Sequence, residues 1–267
     1  MSDIADWWQT SIIDMAPGQI RVRGEPIETL IGAMTFPQMI WLMLRGEKPS
    51  DAQSRLLEAA LVAAVDHGPQ APSIAAARMA VTCGLGLNGA MANAVNMLDD
   101  VHGGAGEQAV QLMTKIASAA DEPDLNATVA AAIAKYQSEV SAFIPGFGHR
   151  FHKPQDPRAP RLLALVDEAA AINVVSGRYA AIARNIETTL TTAKGRPVPM
   201  NIDGATAVIY AELGFDAPLA RGLFCLSRSV GALAHAWEQM QQGGRNKGPT
   251  PPAYRWTYTG PNPIADA

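Results

Sequence analysis

Fifteen residues from Ile144 to Arg158 hold two histidines, two arginines, a lysine, two glycines and three prolines. A backbone broken so often cannot run as a helix or a regular strand. The segment is read as a loop that holds His149 beside the close-approach glycines Gly146 and Gly148. It adds Arg150, Lys153 and Arg158 as cations. That combination suits binding an anionic substrate and moving a proton on it.

Two further histidines share this design. They occur as Asp66-His67-Gly68-Pro69 and His102-Gly103-Gly104, each where a predicted helix gives way to a loop. Glycine beside histidine lets a ligand approach the backbone and leaves main-chain N–H groups as donors. His152 belongs to the basic loop, and His235 falls within an apolar helical face, where a structural role is expected. The spacings between histidines are long and neither Cys83 nor Cys225 is adjacent, so no metal site is expected.

Asp203, in Asn201-Ile202-Asp203-Gly204, is the best carboxylate candidate, although capping a helix would also account for it. Lys194 and Arg196 lie just upstream and suggest a site for anionic groups. Arg228 sits inside a strongly apolar helix. It is either paired in the core or turned toward an anion-binding cleft. Gly84-Leu85-Gly86-Leu87-Asn88-Gly89 matches a dinucleotide fingerprint in letters only. It follows a helix-like segment rather than a strand, so a tight helix–helix turn is expected.

The elements that position these residues are mostly helices. Residues 1–24 read as irregular or hairpin-like, with turn signals at Pro17-Gly18 and Gly24. A helix capped by Thr35 runs to Leu44 and stops at Gly46. Others are expected over 50–66, from a Ser73 cap to Cys83, and over 89–100, 105–120, 124–141, 159–172, 176–192, 204–213 and 217–242. With few Val/Ile/Thr/Tyr-rich segments, the fold class is all-α. Hydrophobic residues make up 48% of the 267 positions and charged ones 17%, enough for a sizeable core. The net charge of -4 argues against nucleic-acid binding. No apolar run is long enough for a membrane span, and the N-terminus has no signal-peptide pattern. A cytoplasmic setting with reduced cysteines is expected.

Val101-His102-Gly103-Gly104-Ala105, Pro145-Gly146-Phe147-Gly148-His149 with Asp156-Pro157-Arg158, Asn201-Ile202-Asp203 and Ser227-Arg228-Ser229-Val230-Gly231 occur in one order. With Asp66-His67-Gly68, that series resembles the citrate synthase superfamily from about residue 11 to 242. The resemblance implies an all-α enzyme with a large domain (1–104 and 215–267) and a small one (105–214). It implies a homodimer, or a tetramer of paired dimers, that makes or breaks a carbon–carbon bond between an acetyl-CoA methyl carbon and a 2-oxo acid. A coenzyme A thioester is then substrate, with no permanent cofactor. Asp203 would act at the methyl carbon, His102 would hydrogen-bond the thioester oxygen, and His149 would exchange a proton with the keto or hydroxyl oxygen. His67, Arg150, Arg158 and Arg228 would hold carboxylates, with coenzyme A near Pro145–Gly148, Lys194 and Arg196.

Departures from the synthase pattern bear on the subtype. Pro69-Gln70 replaces the usual Asn after the glycine, and no arginine stands in the usual place before Tyr258-Thr259-Gly260. Gly148-His149-Arg150 resembles the citryl-CoA lyase module, including the C-terminal part of ATP-citrate lyase. His102-Gly103-Gly104 remains synthase-like. The implied reaction is cleavage of citryl-CoA to acetyl-CoA and oxaloacetate. The alternatives are a small citrate or methylcitrate synthase and a non-catalytic CoA-binding paralogue.

Overall fold

The computed structural model describes residues 7–119 and 124–261. Residues 1–6 of the irregular start, and residue 120 at the end of one expected helix, lie outside them. The chain opens with a small antiparallel sheet, β1 (Ile13–Ala16), β2 (Gln19–Val22) and β3 (Glu25–Pro26), ordered β1-β2-β3. Ala16 pairs with Gln19 across the expected Pro17-Gly18 turn. Val22 buries with Leu30 and Leu42 and is packed by Ile27, Met34 and Met39.

Helices follow: α1 (Ile27–Leu30), α2 (Phe36–Arg45), α3 (Asp51–Ala63), α4 (Pro72–Thr82), α5 (Leu87–Asn96) and α6 (Ala105–Ala119). Then come α7 (Leu125–Glu139), α8 (Arg158–Ala171), α9 (Arg178–Lys194), α10 (Ile202–Glu212) and α11 (Ala217–Gln242). Thr35 and Ser50 each close a capping box with the Gln three residues on, which satisfies two otherwise orphaned backbone donors per helix.

Two boundaries differ from expectation in ways that matter for chemistry. The third helix stops at Ala63 rather than Asp66, so Asp66 and His67 stand on a loop. The fourth begins at Pro72, with Ala71 as its N-cap and no side-chain cap. Proline suits a first helical position. Ser73, expected as the cap, lies inside the first turn and is fully buried.

The chain divides into two units. The first comprises the described residues of Met1–Ala64 and Gly104–Phe224, the second Val65–Gly103 and those of Cys225–Ala267. The division falls within α11. The sequence-based boundary instead grouped residues 1–64 with 65–104. In the structure α3 packs on α10 and α8, and this joins the early helices to the first unit.

In the first unit α10 is the central element. Apart from Asp203 and Glu212 its residues are buried, and it packs against α3, α6, α8 and α9. A helix apolar all round can only be a core helix. In the second unit Ile74, Ala77 and Ala80 of α4, Ala90 and Ala94 of α5, and Ala232 and Ala236 of α11 form one buried cluster. Alanine on all three helices lets the backbones approach closely. The Gly84–Gly89 segment is the α4–α5 turn and the first residues of α5, not a strand-to-helix phosphate loop.

Candidate active site

The central helix α10 begins at a crowded junction. Asn201 is its N-cap: Oδ1 accepts from the N–H of Asp203 at 3.0 Å and of Gly204 at 3.2 Å. Capping therefore falls to Asn201, and the capping explanation of Asp203 is removed. Asp203 stands half-buried in the first turn, where the helix dipole favours a carboxylate.

The histidine loop is fastened to this helix end by main-chain bonds. The Asn201 N–H donates to Gly146 O at 3.0 Å and the Gly148 N–H to Pro199 O at 2.7 Å. Asn201 Nδ2 donates to Gly148 O at 2.8 Å, and Phe147 bridges Met200. Gly146 has φ +85°, and a Cβ there would lie 2.7 Å from Gly204 Cα. A Cβ on Gly204 would collide with the Gly146 carbonyl. Both glycines are thus dictated by contact, and side chains there would push loop and helix apart, at a cost of about 1–3 kcal/mol or more.

His149 follows directly. Its Nδ1 accepts from the N–H of Phe151 at 3.0 Å and of His152 at 2.9 Å. A nitrogen that accepts carries no proton, so the neutral ring holds its proton on Nε2 and presents a donor there. Burial depresses its pKa, and His152, Arg158 and Arg150 add to the effect against the opposing pull of Asp156.

Arg158 is partly committed. Its Nε and Nη2 donate to the two oxygens of fully buried Asp156 at 3.0 and 2.8 Å. Burial raises the Asp156 pKa, but the Arg158 bonds outweigh it and hold the carboxyl below its usual value. The edge of the guanidinium away from Asp156 is the part suited to another carboxylate. Donor atoms of His149, His152 and Asp156 lie within 4.8 Å of one another. Asp156 is already in an ion pair, and Arg150, Lys153 and Arg158 surround the loop in sequence, so an anion suits this group better than a cation.

Beside the loop lies a cavity of about 500 Å³. Phe147, Gly148, His149, Lys194 and Arg196 line it, with Arg150 and Lys153, and among the described residues no carboxylate does. Pro145 and Gly146 are buried and are not among its lining residues.

The second unit carries His102, His67 and Arg228. His102 is held by the residue expected to be a cap. The Ser73 N–H lies 3.3 Å from His102 Nε2 and its Oγ 3.0 Å. The N–H belongs to the unsatisfied first turn of α4 and makes Nε2 an acceptor. The neutral ring therefore carries its proton on Nδ1. Burial depresses this pKa too, and the Arg228 charge lowers it further. Arg228 is buried, 4% exposed. His67 is exposed on the turn whose Gly68 N–H donates to Asp66 Oδ2 at 3.0 Å.

Sequence reasoning missed Ser73, Asn201 and Asp156 as partners of these groups. Only Asn201 carried a visible signal, a cap-type residue just before an apolar helix.

The family model described as "Citrate synthase, C-terminal domain" matches residues 42–251. Citrate synthase 2 of Bacillus subtilis is 31% identical over 220 residues, 82% of this chain and 54% of that protein. The chain thus spans about half the length of the curated relatives it matches. The solved citryl-CoA lyase from Hydrogenobacter thermophilus is 32% identical, with a TM-score of 0.85 and 97% of both chains covered. ATP citrate lyase from Methanothrix soehngenii shares the fold at a TM-score of 0.78 and 20% identity, over 95% of this chain and 42% of that one. A family match across most of the chain, together with histidine, glycine and aspartate motifs in one order, places it: the chain belongs to the citrate synthase family.

Proposed function

We propose that this chain is a citryl-CoA lyase, cleaving citryl-CoA to acetyl-CoA and oxaloacetate. The observation that carries the reading is the likeness to the Hydrogenobacter thermophilus citryl-CoA lyase over 97% of each chain at 32% identity. The His102 tautomer fits it. In cleavage His149, with Nε2 unprotonated, takes the carbinol proton as that oxygen becomes a keto group, the bond between the acetyl carbon and the carbinol carbon breaks, and its electron pair moves into the thioester as an enolate. His102 Nδ1–H donates to the thioester oxygen where that charge develops. Asp203, protonated, delivers a proton to the carbon and completes acetyl-CoA. His67, Arg150, Arg158 and Arg228 hold carboxylates, for which a planar guanidinium is suited. The cavity lined by Arg150, Lys153, Lys194 and Arg196 takes phosphates of coenzyme A.

One observation favours the reverse direction, condensation of acetyl-CoA with a 2-oxo acid. His149 presents Nε2–H, a donor matched to a keto oxygen. To accept the carbinol proton in cleavage, the ring must carry its proton on Nδ1, which the two backbone N–H groups oppose. The arrangement is that of the oxaloacetate side of one reversible reaction.

The setting we propose is cytoplasmic, with Cys83 and Cys225 as free thiols. Among the described residues no helix is long and apolar enough to cross a membrane. We also propose a homodimer, or a tetramer built from it. Leu226, Val230, Leu233, Trp237 and Met240 are exposed at heptad spacing along one face of α11. A Trp237→Glu change is expected to shift the chain toward monomer in light scattering.

The test is an assay with two substrate sets. Oxaloacetate formed from citryl-CoA, with no free CoA from acetyl-CoA plus oxaloacetate, supports the lyase. Release of free CoA from the second set supports a synthase. Retained CoA binding without turnover of either defeats both.

A further inference from the structure

The motif Ser227–Gly231 leads into a network that the proposed reaction does not use. Gly231 presses α11 against the turn that carries His67. Its N–H donates to Val65 O at 3.1 Å, and a Cβ there would collide with that carbonyl and lie 3.0 Å from Asp66 Oδ1. One turn further along α11, His235 reaches the same carboxylate. Its Nε2 lies 3.2 Å from Asp66 Oδ1, while its Nδ1 lies 3.1 Å from Arg78 Nη1. Arg78 also binds Glu238 at 2.5 Å and Gln242 at 2.7 Å.

Arginine has five donors and no acceptor. The Arg78 contact therefore makes Nδ1 of His235 an acceptor, and the ring's proton sits on Nε2, facing Asp66. Asp66 spends its other oxygen on the Gly68 N–H and so fixes both sides of His67. With side-chain exposure of 18% for His235 and 40% for Asp66, the pair is partly shielded from competing water. We propose that His235, oriented by Arg78 and acting through Asp66, is a positioning residue for His67. This rests on the carboxylate-binding role given to His67 above.

Glutamine can replace both functions of the neutral ring, accepting from Arg78 and presenting an N–H toward the Asp66 carboxylate. Leucine can replace neither. His235→Leu is expected to raise the KM for citryl-CoA about tenfold, equivalent to about 1.4 kcal/mol, with kcat changed less than about threefold on the same scale. His235→Gln restores most of that KM. In a His67→Ala background His235→Leu adds little, since two residues acting through one path are not additive. Full additivity of the two changes overturns the proposal.

A second readout does not depend on the reaction. Long-range proton–nitrogen spectra of the five histidines should show His235 protonated on Nε2. The His67 ring signals should move in His235→Leu and return in His235→Gln. A His235 ring protonated on Nδ1, or His67 signals unmoved in His235→Leu, overturns the proposal. If the native protein fails to cleave citryl-CoA, the functional reading falls while these spectra still decide the positioning role.

Discussion

Asn201 donates from Nδ2 to the carbonyl of Gly148 at 2.8 Å, tying the cap of α10 to the residue just before His149. One side chain thus caps the helix that carries Asp203 and fastens the loop that carries His149. The two substitutions that separate these functions should differ. Asn201→Asp keeps an acceptor for the cap but loses the donor. It is expected to stay within about 1 kcal/mol of native stability while kcat falls at least about tenfold, since small misplacements of catalytic groups are costly. Asn201→Ala loses both functions and should cost about 2 kcal/mol in urea denaturation. Native kcat in Asn201→Asp would remove the link between cap and loop.

Because Asn201 is the cap, Asp203 can be changed with little cost to folding. Asp203→Ala loses a favourable helix-dipole contact, worth about 0.3–1 kcal/mol. Turnover of citryl-CoA is expected to fall about 10²–10⁴-fold, the usual contribution of a proton-transferring side chain. Single-turnover kinetics check this. Retention of most activity would return Asp203 to a structural role.

Depressed pKa values at His102 and His149 give a pH dependence with a definite sign. The folded protein binds these protons less readily than the unfolded chain, whose histidines titrate near the ordinary value of 6.5. Stability from these sites is therefore full above that value and is lost as pH falls through 6.5 toward the depressed values. Activity should fall over the same range, because a protonated His102 has no acceptor for the Ser73 N–H. Urea denaturation and kcat/KM across pH 5–8 test both. Stability that rises as pH drops through 6.5 would contradict the assignment.

The cation-lined cavity should respond to salt. Lys194→Ala and Arg196→Ala are each expected to raise the KM for citryl-CoA about threefold to tenfold, or roughly 0.7–1.4 kcal/mol, with kcat little changed. The difference from the native protein should shrink at high ionic strength, where exposed charges are screened. Unaltered KM in both variants would move coenzyme A away from this cavity.

Much of this protein is legible in the chain. The Thr35 cap, the Pro17-Gly18 turn and the apolar run of α10 gave elements close to those observed. Errors fell where a local signal was outbid by contacts distant in sequence. Ser73 looks like a cap, yet its N–H and hydroxyl serve His102, 29 positions away. The third helix ends at Ala63, and beyond it the Val65 carbonyl accepts from Gly231 of α11, far along the chain.

The sequence by itself determined which chemical groups are present, their order and the helices that carry them, because helical period, caps and turn residues act over a few positions. Tertiary structure decided protonation and commitment. Which nitrogen of His102 or His149 holds the proton depends on which backbone N–H faces the ring. Whether Asp203 caps its own helix depends on Asn201 being there to do so. How much of Arg158 remains for a ligand depends on buried Asp156. Each is a question of distances of about 3 Å between groups in the folded chain, and residue order does not set such distances.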